Sequence, residues 1–135
     1  MLKLSKKVEY AILSLQYMAC SKSELVTAKE LSDSLEISFE FLSKTLQVLM
    51  KRGLIESHQG IRGGYQLAKK PEDISLNEVI HALEKNSGIT ECLSEKDILC
   101  SRMDKCTIKS PLTIIQKKIN EFLNMTTIAQ LAKQN

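Results

Sequence analysis

The chain has 135 residues, 43% of them hydrophobic, which suits one compact unit with a real core and an added oligomerisation element. Aromatic residues are 4% and tryptophan is absent, which argues against a carbohydrate or aromatic-ligand pocket. The net charge of +3 is uneven: residues 1–70 carry 11 Lys/Arg against 7 Asp/Glu and residues 71–135 carry 8 against 9, so the first half is the one suited to phosphate contact.

No apolar run approaches the ~20 residues of a membrane span. Lys3, Lys6 and Lys7 open the chain, but Glu9 and Gln16 interrupt any apolar signal-peptide core, so a cytoplasmic protein is expected. In a reducing compartment the four cysteines point to metal or redox chemistry rather than disulfides.

In chain order, Ser5 caps a first predicted helix to about Cys20, with Val8, Ile12, Leu15 and Ala19 on one face and Ala11 and Met18 beside them. Ser21 to Leu25 is a connector. Thr27-Ala28-Lys29-Glu30 matches a capping box and opens a short helix to about Leu35, with Ala28, Leu31 and Leu35 inward. After a turn at Glu36-Ile37, Ser38 caps a third helix to Arg52, and Gly53 stands where a helix ends. Two short helices joined by a turn, the second longer, form a helix-turn-helix pattern.

Residues 54–58 then form a short strand, residues 59–64 a glycine-rich turn, and Tyr65-Gln66-Leu67 the returning strand, which together make a wing ended by Pro71. Ser75-Leu76-Asn77-Glu78 is a second capping box, opening a helix to about Lys85 with Val79, Ile80 and Leu83 buried. Residues 86–109 have weak periodicity and read as loop, with a turn of helix near residues 94–99. Ser110-Pro111 signals a helix with proline in the first position and an apolar stripe of Leu112, Ile115, Ile119, Phe122 and Leu123. Thr126 or Thr127 caps a last short helix carrying Ile128, Leu131 and Ala132.

The fold class is therefore mainly α with a small β-hairpin: a winged helix-turn-helix plus a long C-terminal helix. In such a unit the first turns of the second helix face base edges in the major groove. Ser38, Glu40, Ser43 and Lys44 occupy those turns, with Ser43 and Lys44 the best base-edge or phosphate candidates, while Phe41 reads as core. Arg62, flanked by glycines at the wing tip, suits a minor groove. Lys6, Lys7 and Lys51 are generic phosphate candidates.

Cys92-x7-Cys100-x5-Cys106 offers soft ligands on one loop and lacks the C-x2-C knuckle of structural zinc sites. An iron–sulfur cluster, a thiol redox switch and zinc all remain open on this spacing. Cys20, far from the others in sequence, reads as a buried structural residue. Catalysis is not expected: no nucleophile–base pair, phosphate loop or paired carboxylates stand out.

The stretches Ile37–Leu42 and Gly60-Ile61-Arg62-Gly63-Gly64-Tyr65, the Lys51-Arg52-Gly53-Leu54 junction and the three-cysteine loop together resemble winged-helix iron–sulfur transcription regulators of the IscR/NsrR type. The resemblance covers nearly the whole chain. It implies a homodimer on a roughly palindromic double-stranded DNA operator, a 2Fe-2S or 4Fe-4S cluster held by Cys92, Cys100 and Cys106, and a long helix crossing its partner. The iron–sulfur cluster regulator of the group has a histidine three residues after the third cysteine, where this chain has Lys109, a protonated amine and a poor ligand. The nitric-oxide-sensitive member uses an acidic residue early in the first helix of the partner subunit, and Glu9 stands at that place. Asp104 and His81 are weaker candidates. The implied division is 1–85 for the DNA-binding winged helix-turn-helix, 86–110 for the cluster loop, and 111–135 for the dimerisation helix and short terminal helix. The expected function is a transcription regulator, with repression as one mode, whose operator affinity follows a cluster sensing iron, redox state or nitric oxide. The competing expectation is a cluster-free winged-helix repressor governed by thiol oxidation, a small molecule or a protein partner.

Overall fold

The computed structural model describes residues 3–94 and 100–133. The elements run α1 (Lys6–Cys20), α2 (Ala28–Leu35), α3 (Phe39–Lys51), β1 (Ile55–His58), β2 (Gly64–Leu67), α4 (Leu76–Leu83), α5 (Lys109–Met125) and α6 (Ile128–Lys133). The architecture is thus mainly helical with one two-stranded antiparallel hairpin.

The helix starts are fixed by side-chain oxygens that accept from otherwise unpaired backbone N–H groups, each worth about 1 kcal/mol. Ser5 accepts from Val8, Thr27 from Glu30, Ser38 from Phe41 and Ser75 from Glu78, at 3.0–3.4 Å. At α4 the capping box is complete, because Glu78 accepts from the Ser75 N–H in return at 3.4 Å. At α2 the expected box is half made. The Glu30 carboxylate accepts from the Tyr17 hydroxyl at 3.0 Å instead, tying α2 to α1. At α6 the reciprocal pair is Thr127 and Gln130.

The core gathers Ala11, Leu15 and Met18 of α1, Leu31 of α2, Leu42, Leu46 and Leu49 of α3, Ile55 of β1 and Val79 of α4. On α1 the deepest stripe is Val8, Ala11, Leu15 and Met18, rotated from the expected centre, and Ile12 and Ala19 are only partly buried. Cys20 lies beyond that stripe and is exposed, not buried as expected; its sulfur stands 3.9 Å from the Ala132 carbonyl oxygen.

The hairpin pairs Ile55 with Leu67 through His58 with Gly64. It does not hang free. Val26, from the α1–α2 connector, exchanges both backbone hydrogen bonds with Tyr65, at 2.9 and 2.7 Å. A Cβ on Gly64 would stand 2.9 Å from the Val26 carbonyl oxygen, so this close approach requires glycine.

Helix α5 starts at Lys109, with Ile108 as a cap that makes no side-chain bond. The expected Ser110 cap is therefore displaced, and Pro111 is the third helical residue. That position tolerates proline because the first four helical N–H groups have no intrahelical acceptor. Of the whole helix only Gln116 is buried. The chain then turns back. Ile128 of α6 is fully buried in the main core, its N–H donates to the Ile74 carbonyl at 2.9 Å, and Gln16 of α1 donates to the Leu131 carbonyl at 2.9 Å. Of the helical turn expected near 94–99, Ser94 ends the Glu91–Leu93 3-10 turn, and residues 95–99 lie outside the described residues.

Candidate DNA-reading face and cysteine loop

Helix α3 turns Leu42, Thr45, Leu46 and Leu49 inward, so the opposite stripe is solvent-facing. Glu40, Lys44 and Lys51 lie on that side and are exposed, and Ser43 beside them is half-buried. The Ser38 oxygen is occupied as the helix cap. Gln47 is also exposed, between Lys44 and Lys51 on the helical spacing, and Phe39 is 55% exposed at the first turn. Sequence reasoning passed over both; the three- and four-residue steps from Glu40 and Lys44 would have found Gln47. Phe41 is half-buried, its ring edge-to-face on Tyr10 with centroids 5.2 Å apart. Arg62 is exposed at the wing tip next to Ile61, which is fully exposed.

The acid and base at the start of α1 pair with each other. Lys6 donates to Glu9 at 2.8 Å, and that hydrogen bond, followed by the carboxylate charge, holds the Lys6 ammonium above its usual pKa. Both side chains reach solvent, so the pair adds little to stability. Lys7 is exposed.

The cysteine loop is anchored at its first end by groups that no motif flags. The buried Gln116 of α5 accepts from the Ile89 N–H at 2.7 Å and donates to Asn120 at 3.0 Å. The Ser87 hydroxyl and His81 Nδ1 are 3.0 Å apart, which accounts for His81 within the loop's base. The backbone at Gly88 runs directly under the next turn, where an added Cβ would meet Ser94 N at 2.5 Å and Leu93 C at 2.6 Å. These contacts hold the short 3-10 turn Glu91–Leu93 that carries Cys92. Cys92 is half-buried, with the Thr90 hydroxyl 3.2 Å from its sulfur. Cys106 is half-buried after a second 3-10 turn, Met103–Lys105, and Cys100 is exposed. All three thiols are free. Among the described residues, no three His, Cys, Asp or Glu side chains converge on a common point within one copy. Asp104, Arg102 and Lys105 are exposed around the loop.

With this geometry in view, a family model for Rrf2, described as an iron-dependent transcriptional regulator, matches residues 4–134. The chain belongs to the Rrf2 family. It is a winged-helix transcription regulator of that family, similar to the Rrf2 protein of Nitratidesulfovibrio vulgaris, with 35% identity covering 98% of this chain and 88% of the relative. It is also 34% identical to the regulator NsrR of Shouchella clausii, over 82% of this chain and 75% of that protein. Among solved structures, this Rrf2 chain is similar to CymR, the global cysteine regulator of B. subtilis, with a TM-score of 0.79, 27% identity and coverage of 100% and 99%. IscR of T. potens gives a TM-score of 0.76 at 28% identity, covering 98% of this chain and 87% of that one. No helix among the described residues is long and apolar enough to cross a membrane.

Proposed function

We propose that this Rrf2 regulator binds a two-fold operator as a homodimer and sets its DNA affinity through an iron–sulfur cluster in the Cys92–Cys106 loop. The observation that carries the reading is the joining, in one chain, of three free thiols on one loop to a winged helix-turn-helix. The donor chemistry fits, since soft thiolates are the ligands such clusters take. Among the described residues of one copy the donors are not gathered, and three thiolates leave a position for a fourth ligand. Cys92, Cys100 and Cys106 of one subunit with the partner's Glu9 would hold the cluster. When bound, it supplies sensitivity to oxidants, nitric oxide and iron supply.

The remaining steps belong to the chain. Glu9 stands on α1, and its neighbour Tyr10 packs on Phe41 of the recognition helix. A pull on the start of α1 is thereby passed to α3. Recognition helices on a two-fold operator must sit about 34 Å apart, so releasing that pull changes how both fit.

The dimer is supported by α5. Ile108, Ile115 and Phe122, at intervals of seven residues from just before the helix, are 59%, 46% and 69% exposed, and Met125 is 75% exposed. An apolar face of this kind marks an interaction surface, and a second copy offers the same face by symmetry.

The second reading is a cluster-free regulator governed by thiol oxidation, a small molecule or a protein partner. It draws support from the likeness to CymR and from the ungathered thiols. Anaerobic purification with iron and sulfide analysis, followed by operator binding of apo and holo protein, separates the two. We expect brown protein with different DNA affinities in the two states, and a spectrum that Glu9→Ala alters more than Asp104→Ala. Iron-free protein whose affinity follows oxidation selects the second reading. Iron-free protein that binds DNA identically with all three loop cysteines replaced by serine overturns both thiol-based readings.

A further inference from the structure

A cavity of about 500 Å³ lies between the recognition helix, the start of α1 and the end of α4, and the geometry points to an effector site for a small organic anion with an apolar body. The volume lies within the range that encloses small-molecule ligands. Its floor is apolar: Phe41 and Val48 from α3, Ala82 and Leu83 from α4. The edge-to-face contact with Tyr10 fixes the Phe41 ring, so the floor is preformed. The rim is cationic. Lys7, Lys44, Arg52 and Lys85 line it, against one carboxylate among the described residues, Glu84. All four cations are exposed, and no ion pair among the described residues ties any of them. Low-dielectric walls under charges of one sign concentrate the field on an anion.

Its position ties the cavity to DNA. On a helix of 3.6 residues per turn, Phe41, Thr45, Val48 and Arg52 form the stripe facing the cavity. Glu40, Ser43, Gln47 and Lys51 form the adjacent stripe facing outward. Lys44 lies on the seam between them. Its ammonium can serve a phosphate of the duplex or an anion in the cavity, and a bound anion lowers duplex affinity by holding it.

The test uses the full chain with 8-anilinonaphthalene-1-sulfonate as the probe anion and N-phenyl-1-naphthylamine as the uncharged aromatic control, both read by fluorescence. The sulfonate is expected to saturate one site per chain and to bind at least tenfold tighter than the amine. Arg52→Gln with Lys85→Gln, both exposed, should weaken the sulfonate at least tenfold and leave the amine unchanged. Val48→Phe, which fills the floor, should weaken both. Equal affinity for the two probes, or sulfonate binding unaffected by the double variant, as on the apolar α5 face, overturns the site. In a second arm, saturating sulfonate should lower duplex affinity at least fivefold, and Lys44→Gln should remove that difference. Probe binding with no change in duplex affinity overturns the effector role. The first arm needs no DNA, so its result stands apart from the DNA-binding reading.

Discussion

Two single residues, Gly88 and Arg62, invite substitution for different physical reasons. At Gly88 the constraint is space. An alanine methyl would meet the backbone of Leu93 and Ser94, which cannot rotate aside, so the Glu91–Leu93 turn must shift. Gly88→Ala should cost about 1–3 kcal/mol through overpacking. It should also raise the alkylation rate of the half-buried Cys92 relative to exposed Cys100, as followed by mass spectrometry. An unchanged ratio would mean that the turn does not shelter Cys92. At Arg62 the constraint is charge on a wing tip held in place by the Val26–Tyr65 bridge. Arg62→Ala should weaken operator binding by about 1–3 kcal/mol, with the largest loss at A·T-rich flanks, in a salt-controlled titration.

At the scale of elements, the helix starts were legible because they are local. Ser5, Thr27, Ser38 and Ser75 each cap within three residues of themselves, and a spacing of that kind is visible in any sequence. Glu30 departs from expectation for a non-local reason, and Ser110 departs as well. Tyr17, thirteen residues away, takes the Glu30 carboxylate, and α5 begins before its proline with no side-chain cap at all. The apolar stripe of α5 was legible too, but its periodicity did not say what it faces. In a single copy it packs so little that only Gln116 is buried. We expect Phe122→Asp to give monomers in sedimentation experiments. Burial of one phenylalanine contributes about 2 kcal/mol, and two-fold symmetry counts it twice. A dimer that survives Phe122→Asp would place the interface elsewhere.

Across the whole molecule, the last helix belongs with the first. Ile128 completes the core that α1 and α4 begin; its N–H donates to the Ile74 carbonyl, and the Leu76 N–H donates to the Thr126 carbonyl. The α5 segment thus leaves and re-enters one packed unit. Ile128→Ala should destabilise the protein by about 2–5 kcal/mol in denaturant unfolding, as expected for a core residue and not for a tail. A change within 0.5 kcal/mol would show that α6 is only loosely docked.

Taken alone, the sequence determined the starts of α1 to α4, the wing, the winged-helix class and the presence of three thiols on one loop. Those features depend on neighbours a few residues apart, where capping, turn chemistry and periodicity operate. Only the tertiary structure decided that Gln116 and Gly88 anchor the cysteine loop, that Cys20 faces solvent, that α6 closes the core, and that a cation-rimmed cavity borders the recognition helix. The Gln116, α6 and cavity contacts join residues far apart in the chain. Local preference carries no information about which distant surface a side chain meets, because that is settled by the packing of the whole core.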